Sequence, residues 1–538
     1  MTRTLFAICY LALYWARQGT ALLSHDLLDV VSTYHGPSTL ADQITKSSAE
    51  IDDTARNATS PYGFAATQRA AAVCAISKVI FHGDVYTNSN TQYTTSEDIN
   101  WSQTCWLPAA CFIRPQSTIE VAVALKLITV TGSKFAIRSG GHNPNPGYGS
   151  IDGEGVLIDL QDMKLLSIDS NGTVSSGPGH RWADLYEFSQ DHNRTIKGGR
   201  TTDVGLPGFY LGGGMPFFSS LNGLAVDSVL NYEIVLANST VVNANRDENP
   251  ELFRALKGGG PNFGIITRFD IATYPVIRAN YAVNLYNSSD YLNILNATAK
   301  VLSSMDSDPN VDFYVSVTPT VVSIGMFYAD WLAEPPAAFA PFNELESFVG
   351  PMVPLENGTV ASLGADLAAN TPVYNARRVT SAISTKLDPE LYIQHHEQFL
   401  KTVDAAGLEF AANLSYTIQP LSSAAVKAGN SLGGNALGLE EITQIWWATV
   451  VEWTDEEKDS QALQTIKTLS DDLSSLAEGR DDLLQYEFMN DANFMQTVLD
   501  SYGRDNLALF RSVAVEYDPF AVFQNLQNDG FLLRKIKS

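Results

Sequence analysis

The sequence is poor in the residues that build metal centres. Its 538 residues include four cysteines and eight histidines, and no cysteine pair or histidine cluster has metal-ligand spacing. We therefore expect no metal site. Cys9 lies in an N-terminal apolar run, so a processed chain would keep Cys74, Cys105 and Cys111. Three thiols allow one disulfide and leave one odd cysteine.

Basic residues are also scarce. Lys and Arg number 34 against 59 Asp and Glu, which gives a formal net charge of −25. An acidic surface repels the phosphates of nucleic acids and anionic membranes, so we expect no nucleic-acid partner. With 45% hydrophobic residues, the chain is long enough for a large core and two domains.

No segment after residue 21 is long and apolar enough to span a bilayer, so we expect no stable membrane anchor. At the N-terminus, Arg3 precedes the apolar run Leu5–Ala16, and small residues follow at 19–21. This pattern predicts a cleaved secretory signal over residues 1–21. A membrane anchor is the alternative, which Arg17 disfavours because it interrupts the run.

Asparagine sequons favour the same compartment. Nine Asn-x-Ser/Thr sites are spread along the chain and are predicted glycosylation sites: Asn57, Asn100, Asn171, Asn193, Asn238, Asn287, Asn296, Asn357 and Asn413. We predict a secreted or secretory-pathway glycoprotein, and the oxidising route favours a disulfide.

Glycines are concentrated in three loops. In the first, Gly140 and Gly141 precede His142, between runs that predict strands at 134–137 and 156–160. Paired glycines let the backbone turn tightly and present its N–H groups to a phosphate, and a histidine at the tip can reach what the phosphate carries. A purely structural turn is the alternative. Hydrophobic periodicity also predicts helices at 118–131, 182–193 and 250–256 and two strands within 229–242.

The second and third loops are Gly198–Gly214 and Lys257–Ile266. No G-x-G-x-x-G follows a first strand, which argues against a Rossmann dinucleotide site. The three loops, in this order, and the tail motifs Tyr517-Asp518-Pro519, Phe523-Gln524 and Gly530-Phe531 resemble the berberine-bridge-enzyme-like branch of the vanillyl-alcohol-oxidase superfamily, fungal type. The resemblance runs from about residue 74 to 533 and is weakest between 280 and 430.

This resemblance implies an α+β fold, with a two-part PCMH-type FAD-binding domain and an α/β substrate domain that contains an antiparallel sheet. We predict the FAD-binding domain at 22–275, the substrate domain at 276–480 and a return to the FAD-binding domain at 481–538. The family pattern also implies a disulfide between Cys74 and Cys111, with Cys105 as the competing partner.

The implied cofactor is FAD, bonded through its C8 methyl group to His142. A covalent link retains the cofactor in a secreted enzyme. Many relatives form a second link through a cysteine, but Thr201 stands at that place and a hydroxyl cannot form the thioether. We therefore predict a single covalent link.

Further cofactor contacts are expected in all three loops and near the C-terminus. The expected cofactor-binding residues are Arg138, Ser139, Gly140, Gly141, His142, Asn143, Thr201, Thr202, Val204, Gly205, Gly208, Gly212, Gly213, Gly214, Asp227, Gly264, Ile265, Ile266 and Asn490. Plain turn geometry is the alternative for any one glycine, and a loop-capping carboxylate is the alternative for Asp227.

Hydride removal requires a base for the substrate proton. Relatives use a tyrosine in a Tyr-x-Asn-Tyr motif, where this chain has Phe488 and retains Asn490. If this stretch is a strand, Tyr486, Phe488 and Asn490 share a face and Asp491 points away. Tyr486 is then a candidate base, with core packing as the alternative, and Asn490 should touch flavin or substrate.

Another relative places its base on a strand that ends in tryptophan, here Ile445–Trp453. No acid stands mid-strand, and Trp446, Trp447 and Thr449 are expected either to line a pocket for an aromatic substrate or to pack in a core. The base stays unassigned.

The sequence thus predicts a secreted, monomeric FAD-dependent oxidase with O2 as acceptor. Its substrate would be an alcohol, amine or activated C–H group of a small organic molecule, in keeping with fungal secondary metabolism. The alternatives are an oligosaccharide oxidase and a catalytically silent flavin-binding or ligand-binding glycoprotein.

Overall fold

The computed structural model describes residues 22–58, 65–371, 374–411 and 413–536. The predicted signal at 1–21 lies outside the described residues. Within them, no helix has the length and apolar character needed to cross a bilayer. The same ranges contain no group of three or more His, Cys, Asp or Glu side chains that could hold a metal ion.

The first part of the chain folds as helices around a small mixed sheet. The helices are α1 Leu23–Thr33, α2 Ser38–Lys46, α3 Ser48–Ala58, α4 Ala66–Ile80, α5 Gln92–Glu97 and α6 Thr118–Thr131. The strands are β1 Val85–Tyr86, β2 Phe112–Ile113, β3 Lys134–Arg138 and β4 Gly155–Asp159, in the order β1-β2-β4-β3. The β2, β4 and β3 strands are parallel, and α1–α4 and α6 share an apolar core with them.

The helix α6 shows how the local sequence sets these elements. The Ser117 side chain accepts a hydrogen bond from the Glu120 backbone N–H, and Gly132 ends the helix with a φ of 65°. A serine N-cap satisfies a free N–H, and a left-handed residue after the last turn is easiest for glycine. The helix predicted at 118–131 is confirmed.

A second sheet is antiparallel. Its strands are β5 Leu166–Ile168, β6 Val174–Ser176, β8 Val229–Val235, β9 Val241–Asn245 and β10 Ile265–Ile271, in the order β5-β6-β10-β8-β9, and β7 Arg194–Thr195 pairs with β11 Tyr274–Pro275. The helices in this part are α7 Trp182–Asp191, α8 Leu206–Leu211, α9 Ser219–Asn222 and α10 Pro250–Leu256. The helix predicted at 182–193 ends two residues earlier, and the one at 250–256 is confirmed.

The third sheet is antiparallel and has eight strands in the described part of the chain. Its strands are β12 Arg278–Asn287, β13 Val311–Val317, β14 Val321–Tyr328, β15 Phe348–Thr359, β16 Arg377–Thr385, β17 Ser415–Leu421, β18 Gln444–Trp453 and β19 Leu483–Leu484, in the order β15-β12-β14-β13-β17-β18-β16-β19. Its helices are α11 Tyr291–Leu302, α12 Ala340–Asn343, α13 Val360–Asn370, α14 Pro389–Ala406, α15 Leu408–Ala411, α16 Ser423–Ser431 and α17 Asp459–Glu478. Because α11, α14 and α17 form one core with one face of this sheet, the opposite face is left for the site described below.

The C-terminal segment returns to the first sheet. The helices α18 Arg504–Tyr517 and α19 Val522–Asn525 lead into it. The Phe135 N–H donates to the Leu526 carbonyl, and the Asn528 N–H donates to the Phe135 carbonyl at 2.7 Å. The α+β fold with an antiparallel sheet is confirmed, whereas the domain boundaries at 275 and 480 stay predictions.

The structure joins Cys74 to Cys111 and leaves Cys105 free and buried. The disulfide connects α4 to the start of β2 and closes a loop of 37 residues. A loop of this length, when cross-linked, stabilises the fold by about 4 kcal/mol through the unfolded state.

We therefore expect the double variant Cys74→Ala/Cys111→Ala to lose about 4 kcal/mol of unfolding free energy in urea denaturation. The control is Cys105→Ala, which removes a buried thiol but no cross-link. Equal losses in the two variants would contradict a stabilising role for the disulfide.

Eight of the nine sequon asparagines are exposed, in agreement with a glycosylated surface. Asn100 is the exception, since it is 5% exposed and its side-chain Nδ2 donates to the Cys105 carbonyl at 2.9 Å. A glycan on this buried nitrogen would break that hydrogen bond, so the structure contradicts the prediction for Asn100. Glycosylation of the other eight stays a prediction.

Candidate active site

A cavity of about 730 Å³ lies between the glycine-rich loops and the free face of the eight-stranded sheet. The loops contribute residues 137–145, much of 199–211 and several residues of 260–266. The sheet contributes Thr380, Gln419, Val450 and Glu452, and residues 488–491 and 529–531 complete the wall. All three predicted glycine-rich loops therefore meet at one site.

His142 lines this cavity and is held on two sides. Its ring stacks on Trp101, with centroids 4.9 Å apart and an interplanar angle of 15°. Its Nε2 lies 3.2 Å from Oδ2 of Asp203. Neither ring nitrogen makes a hydrogen bond of good geometry to the described residues, and Asp203 lies on the Nε2 side of the ring.

The two glycines of the first loop serve different purposes. A Cβ on Gly140 would lie 2.5 Å from the Gly205 Cα, so the first and second loops can approach only if neither residue carries a side chain. Gly141 has a φ of +70°, the left-handed region that favours glycine. The side chain of Arg138 lies below this turn, 1% exposed and paired with Asp159 at 2.5 Å. This pair ties the end of β3, from which the loop starts, to the end of β4.

Most of the expected cofactor-binding residues line the cavity. They are Arg138, Ser139, Gly140, Gly141, His142, Asn143, Thr201, Val204, Gly205, Gly208, Gly264, Ile265, Ile266 and Asn490. The structure does not bring Thr202, Gly212, Gly213, Gly214 or Asp227 to the wall, so these five assignments are corrected.

Each of the five has a structural role elsewhere. The Thr202 carbonyl accepts a hydrogen bond from the Ala183 N–H at the start of α7. Gly212–Gly214 lie behind Asn490, Leu437 and Phe209, which a Cβ at these glycines would meet at 2.6, 2.9 and 2.5 Å. Asp227 caps its own turn through the Leu224 N–H at 2.9 Å and binds Asn435. For Asp227, the loop-capping alternative is the correct one.

Asn490 lines the cavity, but both ends of its amide are occupied. Its Nδ2 donates to the Gly208 carbonyl at 2.8 Å, and its Oδ1 accepts from the Gly214 N–H at 3.2 Å. These bonds tie Asn490 to the middle of α8 and to the turn after it. Asn490 therefore holds a wall of the site in place, and its predicted catalytic role stays a prediction.

The prediction that Tyr486 acts as the base is wrong. Its side chain is 4% exposed, lies between Trp446 and Tyr502, and does not line the cavity. The strand assumed there ends at Leu484, and residues 489–491 form a turn. Because the alternation of a strand is absent, Asp491 comes to the cavity wall beside Asn490, on the side the alternation had excluded.

Asp491 is the acidic residue at the cavity wall that had not been predicted as a candidate base. Gln419 donates its Nε2–H to Oδ2 of Asp491 at 2.7 Å, while Oδ1 makes no hydrogen bond to the described residues. Burial raises the pKa of the Asp491 carboxyl to about 6, against lowering by the Gln419 hydrogen bond and the charge of Arg200. A carboxylate with a pKa near 6 and a free oxygen is suited to accept a proton near neutral pH.

A chain of contacts positions this acid. Arg200 donates to the Gln419 Oε1 at 3.4 Å and to the Asp312 Oδ1 at 3.1 Å. Asp312 is also bonded to the Phe218 N–H at 2.8 Å. The amide of Gln419 is thus oriented with its oxygen towards Arg200 and its NH2 group towards Asp491.

The tryptophans of β18 do not line the cavity. Trp446 is 1% exposed and stacks on Phe488 at 4.4 Å, while Trp447 packs among the helices behind the sheet. Val450 and Glu452 face the cavity instead. The core-strand alternative is therefore correct for Trp446 and Trp447, and Thr449 is likewise buried.

Glu452 belongs to a charged group at the wall. It pairs with Arg378 at 2.5 Å and accepts a hydrogen bond from the Tyr374 hydroxyl. The Arg378 guanidinium stacks over Trp101 at 4.5 Å, on the ring that also stacks on His142. No sequence signal marked Trp101, Arg378 or Asp203, since their contacts join segments far apart in the chain.

These features fit FAD. The first two loops bring bare backbone to the cavity, as a diphosphate requires. Gly208 lines the cavity with nothing within 4 Å of the point where a Cβ would stand. The imidazole of His142 is a nucleophile that lines the same space.

Comparison with known proteins gives the family. A model of an FAD binding domain matches residues 109–245. The FAD-dependent monooxygenase macF of Penicillium terrestre is 33% identical over 463 residues, which cover 85% of this chain and 88% of that protein. The FAD-dependent monooxygenase yanF of Aspergillus niger is 34% identical over 460 residues, covering 85% and 78%. The chain belongs to this family of FAD-dependent oxidoreductases.

The fold of this oxidoreductase is shared with solved flavoenzymes. Glucooligosaccharide oxidase from Acremonium strictum superposes with a TM-score of 0.70 at 17% identity, over 85% of this chain and 98% of that one. The predicted berberine-bridge-enzyme-like resemblance is confirmed. The family is one of enzymes, and Asp491 supplies an acid where Phe488 lacks one, so the silent-binder alternative is not supported.

Proposed function

We propose that this oxidoreductase oxidises an alcohol, amine or activated C–H group of a small organic molecule, with FAD linked to His142 and O2 as acceptor. The observation that carries the proposal is the presence of two reactive groups in the wall of one cavity, the imidazole of His142 and the carboxylate of Asp491. FAD, when bound, supplies the hydride acceptor. Asp491 accepts the proton that the substrate releases as hydride leaves its carbon.

The wall around Asp491 favours an apolar substrate. Phe209, Met215, Val450, Phe488 and Met489 line the cavity with it. These side chains exclude water from the reacting carbon, and Gln419 and Arg200 hold the acid in place. Such a wall suits a lipophilic or aromatic molecule better than an oligosaccharide, and we propose a role in fungal secondary metabolism.

The histidine link is supported by the donor geometry and by the solved glucooligosaccharide oxidase, which carries 6-S-cysteinyl, 8α-N1-histidyl FAD. In this chain Thr201 lines the cavity at the cysteine's predicted place, so we propose a single link. The disulfide and the eight exposed sequons support a protein of the secretory pathway.

We expect His142→Ala to abolish covalent flavin. The variant should give no fluorescent band on a denaturing gel and no flavin-shifted peptide, whereas wild type should give both. The control is His192→Ala, which removes an exposed histidine on the outer surface. A flavin adduct that persists in His142→Ala would contradict the assigned link.

The reaction class is tested by turnover on lipophilic alcohols, amines and oligosaccharides. An oxidase releases one hydrogen peroxide per substrate oxidised and, under 18O2, leaves the product unlabelled. Label in the product would instead indicate a monooxygenase, and turnover confined to cello- or chito-oligosaccharides would favour the sugar oxidase.

A further inference from the structure

Asp203 is the one charged side chain of the second loop that contacts the imidazole of His142. Its Oδ2 lies 3.2 Å from Nε2, and the carboxylate is 42% exposed while the imidazole is 18% exposed. The contact with His142 is the main cause of a lowered pKa for Asp203, with a further contribution from the charge of Arg181. Asp203 therefore stays ionised beside the ring.

Contacts of the main chain hold the segment that carries Asp203 beside the first loop. The Arg181 guanidinium donates to the Asp203 carbonyl. The Val204 carbonyl accepts from the Trp182 N–H at 3.2 Å, and Gly205 is in contact with Gly140 of the first loop. Trp101 covers one face of the imidazole. Trp101 thus positions the imidazole, and the contacts of residues 203–205 position the segment that carries Asp203. The fold itself therefore brings the two groups together.

When one nitrogen of an imidazole is bonded to carbon, the other nitrogen of the ring must lose its proton. Formation of the bond makes that proton acidic. A carboxylate 3.2 Å from Nε2 favours the proton on that nitrogen, which leaves the lone pair of Nδ1 free to react. In the described chain Nδ1 has no hydrogen-bond partner, as a nucleophile requires.

We infer that Asp203 is the base that activates His142 for attachment of FAD and directs the bond to Nδ1. This inference rests on the proposed His142 link and goes beyond it by assigning how the link is made. A C–H bond of the C8 methyl group breaks, and a bond between that carbon and Nδ1 forms. The Nε2 proton passes to Asp203, and dioxygen takes the two electrons and two protons to give hydrogen peroxide.

The test is the rate of covalent attachment, measured without any substrate. The full chain is produced in riboflavin-depleted cells, incubated with FAD in air, and followed by intact mass and in-gel fluorescence. We expect Asp203→Asn to slow attachment by about 100-fold, the usual contribution of a positioned base. Asp203→Glu should recover part of the rate, and Asp152→Asn, which changes an exposed carboxylate, should match wild type.

A structural role would give a different pattern. If Asp203 only supports the loop, Asp203→Asn should weaken the non-covalent binding of FAD, measured by flavin fluorescence quenching, rather than slow the covalent step. Attachment of wild type and Asp203→Asn at equal rates would overturn the inference while leaving the His142 link intact. Absence of covalent flavin in wild type would instead overturn the proposed function.

A second measurement needs no variant. The linked ring nitrogen is identified in the flavin peptide of the wild-type protein by NMR. A bond to Nδ1 is expected, and a bond to Nε2, the nitrogen that Asp203 occupies, would overturn the inference even if Asp203→Asn failed to fold.

Discussion

We expect Asp491→Asn to lower the rate of flavin reduction by about 10²–10⁴-fold, because an amide cannot accept the proton that the substrate releases. The Gln419 hydrogen bond to this position can still form, so the cavity should keep its shape. The measurement is the decay of flavin absorbance in anaerobic stopped flow, with the best substrate from the oxidation panel. The matched control is Asp471→Asn on the outer surface of α17, whose side chain is 62% exposed.

The pH profile separates a base from a merely structural acid. The pKa of Asp491 is about 6, and the base works only when deprotonated, so wild-type kcat/KM should fall as pH drops through 6. Asp491→Asn should lose this limb and keep only its low residual rate. A variant that is slow but retains the limb would show that another group accepts the proton.

We expect stability to fall steeply in acid because of two adjacent histidines on α14. His395 is 1% exposed, lies edge-on to Tyr416 and Trp447, and has neither ring nitrogen hydrogen-bonded. Burial lowers the pKa of His395 to about 3 and that of His396 to about 4. Both are therefore neutral in the folded chain at pH values where an unfolded chain, with a histidine pKa near 6.5, already binds protons.

Proton linkage determines in which direction the free energy of unfolding changes with pH. The contribution of each neutral histidine is complete above pH 6.5, and it is lost as pH falls, because the unfolded state takes up protons first. Each histidine costs about 1.4 kcal/mol per pH unit below 6.5, hence about 3 kcal/mol at pH 4. The loss stops near pH 4 for His396 and near pH 3 for His395.

His395→Leu should remove about half of this slope in denaturant unfolding measured from pH 7 to pH 4. The difference from wild type isolates the histidine, since the buried acids Glu487, Asp491 and Asp518 titrate in both proteins. His192→Leu on the surface is the matched control. Parallel pH curves for wild type and His395→Leu would contradict the assignment.

Local patterns in the sequence located most of the site, and contacts between distant segments decided the rest. Helix α6 was predictable from its hydrophobic periodicity. The three loops were predictable because glycines mark the places where the backbone turns tightly. Asp491 was excluded by an assumed strand, because the sequence does not show that the chain turns after Leu484. Its partner Gln419 lies 72 residues away, beyond the reach of any spacing argument.

The same limit explains the tryptophans and Asp203. The aromatic character of β18 suggested pocket walls, but which face of a strand meets helices depends on the whole sheet. Asp203 lies two residues after Thr201, the place of the missing cysteine, and the sequence gives it no role of its own. Its contact with His142 exists only because the fold brings the first loop beside the second. The residues next to Asn100 make it a sequon, but the fold buries its side-chain amide.

The position of the C-terminal segment orders events in biosynthesis. Residues 526–528 pair with Phe135, and Asp529, Gly530 and Phe531 form part of the cavity wall. A nascent chain whose tail is still inside the ribosome lacks this part of the wall, which the finished protein has. Flavin therefore meets its complete binding site only after translation has passed residue 531, and a chain cut short before the tail would be left colourless.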